Sequence, residues 1–430
     1  MSSPFSERIR HHPRIAVTSS PGTLRGRDVL AVKDQLLVCT GPRGGHALSR
    51  HVADWLSAHG IDHRTRTTVF AGLQPPGSQD ADVFELRLPV ATDIFHVTEG
   101  LRTALAGELK GQPGRISPNH VLVPAMDDHS CPNGPPVPSG SPPWDGSAPS
   151  EPRLQVTVID SGWIVSAVGW LLAFASTEQA ETLADGQWKP GSPDAIVVPG
   201  TQQLPALTGH AGFIGGVIAS RCTHAQITVR NHNGVFDRAS DDFPTEAAVA
   251  RSLYRSAGAQ VVNVGFAFRA FSDVISRVWE VSLRRVGETT PVVAPAGNQD
   301  DSGPRYPAAL HLTHKNVIGV SSIHAAAGQL PAKSDFSNYG PWVTCAAGGE
   351  NIQSWFPLAI DVVPEEAPGG GKKHFGGWAT WNGTSFATPR VVAAIANGIV
   401  SGLAPTKAWA ALTKPAEKDP DLGYVLESLP

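Results

Sequence analysis

Residues 382–396 read NGTSFATPRVVAAIA: a glycine, three hydroxyl residues and a proline lead into a run of small apolar side chains. That order marks the start of a buried helix. A helix start takes a Ser or Thr to accept a bond from an orphan backbone N–H, and Pro389 suits the first turn. The same place suits a nucleophile, because free N–H groups and the positive end of the helix dipole favour an oxyanion forming beside it. Ser385 therefore has two readings, a helix cap or a nucleophile for acyl transfer, and the rest of the chain has to choose.

The chain has 430 residues, room for one large domain and a smaller one. Hydrophobic content of 41% and charged content of 17% fit a globular protein. No apolar run has the length that spans a bilayer, so no membrane partner is expected. The first 30 residues are basic and polar without the apolar core of a secretory signal, and a cytoplasmic location is expected. Cys39, Cys131, Cys222 and Cys345 lie far apart with no Cys-x-x-Cys pair, which fits reduced thiols rather than a disulfide framework or a zinc site. A net charge of −4 without a basic block argues against a nucleic-acid partner.

Residues 34–125 alternate strand-like and helix-like patterns. DQLLVC (34–39) reads as a strand, and HALSRHVADWLSAHG (46–60) as a helix with Leu48, Val52, Trp55 and Leu56 on one face. TTVFAGL (67–73) and DVFELRLP (82–89) read as two strands around a turn. VTEGLRTALAGELKG (97–111) is a second helix, NHVLVPA (119–125) a last strand, and the order is βαββαβ. On this reading residues 1–30 are a tail, 31–126 a small α+β domain, and the Pro/Gly/Ser-rich residues 127–152 an exposed linker. From residue 153 to 415 the pattern is α/β, with strands at 154–160, 225–230, 260–266, 291–297 and 317–323 and helices from His210, over 245–258 and near 272–286. Several of these strands are continuous apolar runs, as in a mostly parallel sheet covered by helices on both faces. Residues 416–430 read as a second tail.

Each candidate chemical residue stands at the end of such an element. Asp160 closes the strand VTVIDSG, where it either starts a turn with Ser161 and Gly162 or sends a carboxylate out of the sheet. His210 opens TGHAGFIGGVIAS, a helix rich in Gly, Ala and Ile that a neighbouring backbone can approach closely. It is either a satisfied core histidine or a base suited to neutral pH. Asn298 follows PVVAPAG and either forms a Gly-Asn turn or donates its amide to an oxyanion. Together with Ser385 these supply a nucleophile, a base, a group that orients the base and an oxyanion donor.

The sequence resembles the subtilisin-like serine proteases over roughly residues 154 to 415. The order Asp, His, Ser is the order of that family and differs from those of the chymotrypsin and α/β-hydrolase folds. VIDSG, GHAGFIGGVIA, APAGN and NGTSFATP are similar to its aspartate, histidine, oxyanion-asparagine and serine motifs. RYPAAL, VIGVSSI, SDFSNYG and VTCAAGGENI resemble its intervening framework, and PTKAWAALTKPA its closing helix. The resemblance implies a subtilisin-like three-layer α/β domain in which Ser385 is the nucleophile, His210 the general base, Asp160 its orienting carboxylate and Asn298 the oxyanion donor. It implies a peptide or protein substrate, such as a precursor peptide or a partner protein, and no cofactor. VVNVGFAF (261–268) resembles the segment that pairs with substrate as a strand, so Val264, Gly265 and Phe266 are substrate-binding candidates, joined by Ala296 and Gly297. Asp160, His210 and Asn298 separate this chain from the acid-active sedolisins, which use a Glu partner and an oxyanion Asp.

The chain departs from the family pattern in places. Ala211-Gly212 follows the histidine where Gly-Thr is usual, and Gly265 and Ala267 stand where Ser and Gly are usual, so side-chain preference does not carry over. Asp160 and His210 are separated by 49 residues, and 163–205 is either a surface insertion near the cleft or a longer connection. The βαββαβ unit resembles the family's ferredoxin-like propeptide, an intramolecular chaperone and inhibitor; the alternative is an unrelated accessory domain of the same fold. A propeptide would be cut off within residues 124–152. Asp237, Asp241, Asp242 and Glu246 form an acidic patch that could hold calcium, but the spacing is no known calcium loop and a solvated helix entry is the plainer reading, so no metal site is assigned. The rival to an enzyme is a non-catalytic member that binds peptides and keeps its N-terminal domain in the cleft.

Overall fold

The computed structural model describes residues 4–18, 28–40, 46–73, 83–122, 134–140, 154–164, 175–184, 187–190, 203–233, 242–324, 330–364, 371–427 and 429. Its first part contains α1 (Pro4–Arg10), β1 (Ile15–Val17), β2 (Leu30–Cys39), α2 (His46–Ala58), β3 (Arg64–Thr68), β4 (Val83–Arg87), α3 (Ile94–Ala104) and β5 (Ile116–His120). From β2 to β5 the order is the expected βαββαβ, and the strands line up antiparallel as β5-β2-β4-β3, a ferredoxin-like sheet. The second helix starts at Ile94 because the Asp93 carboxylate accepts from the N–H groups of Phe95 and His96, both at 3.1 Å. The strand pleat splits the side chains between two cores. Leu36, Val38 and Leu86 face α2 and α3, whereas Leu37, Cys39 and Val83 face the rest of the chain.

Two expectations change here. The described residues 4–18 of the expected tail are packed, since Ile9 and Ile15 are buried with Val121, Leu207 and Phe243 and so tie α1 and β1 to both parts of the molecule. A few apolar anchors suffice for this, too few to register as a periodic pattern. The strand expected at 67–73 ends at Thr68, and Val69 and Phe70 instead bury against the larger domain, Phe70 stacking on Tyr254 at 4.6 Å.

The larger part follows as β6 (Val137–Pro138), β7 (Leu154–Ser161), β8 (Ala175–Gln179), β9 (Glu181–Ala184), β10 (Gln187–Pro190), β11 (Gln203–Leu204), α4 (His210–Arg221), β12 (Ala225–His232), α5 (Glu246–Tyr254), β13 (Val261–Val264), α6 (Val278–Val286) and β14 (Val292–Pro295). It continues with β15 (Val317–His324), β16 (Ala332–Lys333), β17 (Cys345–Gly348), β18 (Ile352–Pro364), β19 (Lys373–Trp381), α7 (Thr384–Val400), α8 (Pro405–Thr413), β20 (Glu417–Asp419) and β21 (Gly423–Leu426). The main sheet runs β20-β21-β17-β15-β14-β13-β7-β12-β8, parallel from β21 to β8. Helices α4 and α7 bury Phe213, Val217, Val391 and Ile395 on one face, against Val156, Val229 and Val293. Helices α5 and α6 bury Leu253 and Trp279 on the other, against Ile159, Val262 and Val292. This is the expected three-layer α/β arrangement. The C-terminal residues are not a tail, because β21 extends the sheet beside β17. The region 163–205 supplies the edge strand β8 and the hairpin β9–β10; of its other residues up to 202 only Trp163, Ile164 and Ala180 are described.

A second sheet, β11-β18-β19-β6, was not foreseen. Its long hairpin β18–β19 is interrupted by register shifts near Leu358, which breaks the two-residue alternation that would reveal it in sequence. Part of the expected linker belongs to this sheet, since Val137–Pro138 pairs with β19. Of the linker, residues 134–140 are described, and 127–133 and 141–152 lie outside the described set.

The small domain packs on α5 and α6 through buried polar groups. His120 Nε2 accepts from the Phe271 N–H at 3.0 Å, so its Nδ1 carries the proton and donates to Glu246 Oε2 at 2.6 Å. Trp279 Nε1 donates to Glu246 Oε1 at 2.9 Å, and the Asn119 side chain accepts from Ala247 N at 3.0 Å. Glu246, from the acidic patch, is thus occupied at the domain interface; Asp237 and Asp241 lie outside the described residues. Among the described residues no group of three or more His, Cys, Asp or Glu side chains could hold a metal ion. No single described helix is long and apolar enough to cross a membrane. Cys39, Cys222 and Cys345 are buried free thiols, and burial raises each pKa, that of Cys39 to about 11. Cys131 lies outside the described residues.

His232 ends β12 beside Phe266, edge to face at 5.6 Å, and burial followed by the nearby Arg230 charge pushes its pKa down to about 3. It therefore stays neutral in the fold but gains a proton on unfolding below about pH 6.5. The unfolded chain binds more protons between those two values, so this group's stability contribution is lost as pH falls through that window. His232→Gln is expected to lose less stability than the unaltered chain between about pH 7 and pH 5, read as the change in Tm.

Candidate active site

Asp160 leaves the carboxyl end of β7, between β13 and β12, where the chain order of the sheet reverses, the kind of place at which open α/β sheets hold their functional residues. Its Oδ1 accepts from Ser161 N at 2.7 Å and from His210 Nδ1 at 2.6 Å. A carboxylate only accepts here, so Nδ1 bears the proton and Nε2 presents a lone pair. Nε2 makes no hydrogen bond, and His210 and Asp160 are both fully buried. His210 is held as the first residue of α4, whose glycine face meets β18: a Cβ on Gly212 would stand 2.0 Å from the Trp355 ring. The close approach expected for this helix is therefore made, by an indole.

Gly265 has a role that its sequence position did not reveal. A Cβ there would lie 1.5 Å from Asp160 Oδ2, which is itself buried without a hydrogen-bond partner. Gly265 is thus the wall behind the carboxylate, fixed by its N–H donating to Ile159 O at 2.8 Å. Val264, Phe266 and Ala296 are fully buried, so their side chains belong to the core. Gly297 takes φ +101°, and a Cβ there would meet Asn338 Nδ2 at 2.5 Å.

Ser385 is the second residue of α7, and capping is not its task. The cap position is Gly383, which has no side chain to give the helix its own cap. Instead Asn298 reaches in: its Oδ1 accepts from Thr384 N at 2.9 Å and from Thr384 Oγ1 at 2.8 Å, which leaves Nδ2 as the donor end of the amide. Thr384 Oγ1 in turn accepts from Gly297 N at 3.1 Å. This clamp joins the residue before Ser385 to the oxyanion candidate 86 positions away. Pro389 sits in the second turn rather than the first, so the Ser385 carbonyl has no N–H four residues on to bond. The His210 ring lies 5.4 Å from that of Phe386 and 6.0 Å from that of Trp381, bringing the base to the start of α7.

Among the three hydroxyl residues of this stretch the sequence singles out Ser385, and only the contacts of Thr384 reveal it as the clamp. Thr384→Val keeps the shape but orphans the buried Gly297 N–H, an expected cost of about 1–3 kcal/mol. Because the amide donor also loosens, kcat should fall with little change in KM, and Thr384→Ser should restore it; steady-state kinetics and thermal unfolding measure both effects.

The sequence model of the subtilase family, Peptidase_S8, matches residues 208–414. The chain carries a subtilase domain. The match includes His210, Asn298 and Ser385, and Asp160 is joined to it by the Asp160–His210 bond. Thermitase from Thermoactinomyces vulgaris is 34% identical over 128 residues, 30% of this chain and 37% of thermitase. A probable subtilase-type serine protease from Deinococcus radiodurans is 27% identical over 292 residues, 66% of this chain and 35% of that protein. The chain therefore spans just over a third of the length of these two relatives. Among solved structures, fervidolysin from Fervidobacterium pennivorans, a keratinolytic enzyme related to subtilisin, has a TM-score of 0.57 at 18% identity, covering 95% of this chain and 63% of that one. At this identity the likeness is one of fold, and it takes in the small domain as well as the subtilase domain.

Proposed function

We propose that this subtilase is a serine endopeptidase that hydrolyses peptide bonds through an acyl-enzyme on Ser385. The supporting observation is the 2.6 Å bond between His210 Nδ1 and Asp160, set beside a first helical turn that Asn298 clamps through Thr384. With Nδ1 protonated, His210 Nε2 takes the Ser385 proton as Oγ attacks the carbonyl, and Asp160 stabilises the imidazolium. The oxyanion is met by Asn298 Nδ2 and the Ser385 N–H at the positive end of α7. His210 then gives its proton to the leaving amine, and water, activated by the same base, releases the acyl group. Every proton in this cycle is carried by a side chain of this chain. A fluorophosphonate probe tests the assignment, with labelling in the unaltered protein and none in Ser385→Ala expected; labelling that survives the substitution overturns it.

The ferredoxin-like domain is proposed to act as an intramolecular inhibitor and folding aid that the enzyme removes. Ser385 is 1% exposed and His210 and Asn298 fully buried in the intact chain, which supports a covered site. The His120–Glu246 interface supports tight docking. Purified unaltered protein is expected to lose its first ~125–150 residues with time, because exposed loop segments are the preferred sites of cleavage. Ser385→Ala should stay full length in the same preparation. Intact protein that nevertheless cleaves peptides would show the domain to be an accessory one. The substrate is proposed to be an extended stretch of peptide or protein, such as a precursor to be trimmed.

A further inference from the structure

A cavity lies at the opposite edge of the main sheet from the candidate triad. Asp160 stands at the carboxyl end of β7, whereas this cavity opens where other strands of the parallel sheet begin. Thr344 precedes β17, Gly423 opens β21, and His311 is bonded to Val317, the first residue of β15. The volume is about 760 Å³, the size of a small-molecule site. Lys418, Asp419 and Tyr424 of its wall follow the segment 208–414 that matches the subtilase family, so the family assignment gives this wall no role.

Two ammonium groups and an imidazole converge on it. Lys315 Nζ donates to His311 O at 3.3 Å, and Lys418 Nζ lies 5.5 Å from the centre of the Tyr424 ring. Both charges reach the His311 imidazole: burial lowers its pKa, the bond to Val317 O opposes this, and Lys315 and Lys418 lower it further. His311 is therefore neutral at pH 7, with Nδ1 donating to Val317 O at 3.0 Å and Nε2 left as an acceptor. Among the described residues neither lysine forms an ion pair with a carboxylate. Of the lining residues Asp419 alone is acidic, and its Oδ1 accepts from the N–H groups of Asp421 and Leu422 at 2.8 and 2.9 Å. Two positive charges without a counter-charge draw an anion into the cavity.

The apolar side of the cavity is aromatic. Trp409 from α8 and Tyr424 from β21 meet edge to face at 6.3 Å, and both are only half-buried, so ring surface is left to the cavity. Lys418 stands opposite Tyr424 in the β20–β21 pairing, which puts its ammonium over the ring and beside the aromatic wall. A ligand that carries a negative charge on a flat ring satisfies both sides, its carboxylate at the lysines and its ring against Trp409 and Tyr424 in place of water. Inorganic phosphate would use the charges alone. We propose that this cavity binds an aromatic carboxylate, as a free acid or as the C-terminal residue of a peptide, at a site separate from the triad.

Isothermal titration of the full chain with indole-3-propionate tests this. Saturable binding is expected with a Kd on the order of 0.1–1 mM, as suits a ligand of this size. The neutral indole-3-propionamide should bind about tenfold more weakly, and Lys418→Gln should weaken the acid about tenfold as well. Lys418 is exposed, so its replacement should leave Tm unchanged and the lost affinity reads on the site rather than on the fold. Trp409→Leu should weaken the acid severalfold. Titrating N-acetyl-Gly-Trp as acid and as amide separates the two sources. An acid that binds more tightly than indole-3-propionate identifies a peptide C-terminus, and one that binds no more tightly identifies a free acid; either result supports the site. Equal affinity for indole-3-propionate and its amide overturns the proposal, as does an affinity that Lys418→Gln and Trp409→Leu leave unchanged. Failure to saturate below about 10 mM overturns it too. Displacement by inorganic phosphate at equal concentration would show that charge alone is recognised, and would overturn the aromatic assignment.

Discussion

Ser385→Ala is expected to lower kcat by about a million-fold and leave the fold intact. The size follows from cooperation within the unit: without Oγ, the His210 lone pair and the Asp160 carboxylate have nothing to activate, so their contributions vanish with the nucleophile. The fold survives because Ser385 is not the cap of α7, and alanine favours a helix. A residual rate of roughly a thousand-fold or more over the uncatalysed reaction should persist, because Asn298, clamped by Thr384, still meets an oxyanion. Kinetics on purified protein beside a thermal melt make the comparison. A variant that kept more than about one part in a hundred of the activity would exclude Ser385 as the nucleophile.

Gly265→Ala is expected to reduce kcat/KM by about a hundredfold or more, since a displacement on the order of 1 Å at a catalytic group has that effect. The added methyl would stand 1.5 Å from Asp160 Oδ2, so either the carboxylate or the end of β13 must move. Both are fully buried and tightly held: Gly265 N bonds Ile159 O, and Asp160 Oδ1 bonds Ser161 N and His210 Nδ1. The carboxylate is the more mobile of the two because its Oδ2 is bonded to nothing. Its displacement misaligns His210, so the pH profile of kcat/KM should change shape along with its height. A mutation that merely loosened the sheet would lower the folded fraction and leave that profile in place. Gly265→Ser should behave alike, although serine is the usual residue at this place in the family that the sequence resembles.

The triad candidates were readable because each stands at the end of an apolar strand or the start of a small-residue helix, and local sequence records such ends well. The Gly-rich run after His210 likewise foretold a close approach, which Trp355 makes. The clamp was not readable. Thr384, Gly297 and Asn298 meet across 86 positions, and nothing in a threonine beside a serine tells which of the two hydroxyls is the one that holds Asn298. Glu246 looked like an acidic helix entry, and its partner His120 lies 126 residues earlier in another domain. The β18–β19 hairpin was hidden by its irregular register, and with it the place of Val137 and Pro138.

By itself, then, the order of residues determined the βαββαβ unit, the parallel sheet behind it and the four side chains proposed to carry the chemistry. These depend on short-range periodicity and on turns that punctuate it. Tertiary structure alone decided what surrounds those side chains: Gly265 behind Asp160, Thr384 on Asn298, Trp381 between His210 and Gly134. Such contacts join residues far apart in the chain, and whether they form depends on how closely packed surfaces fit, which no local pattern encodes.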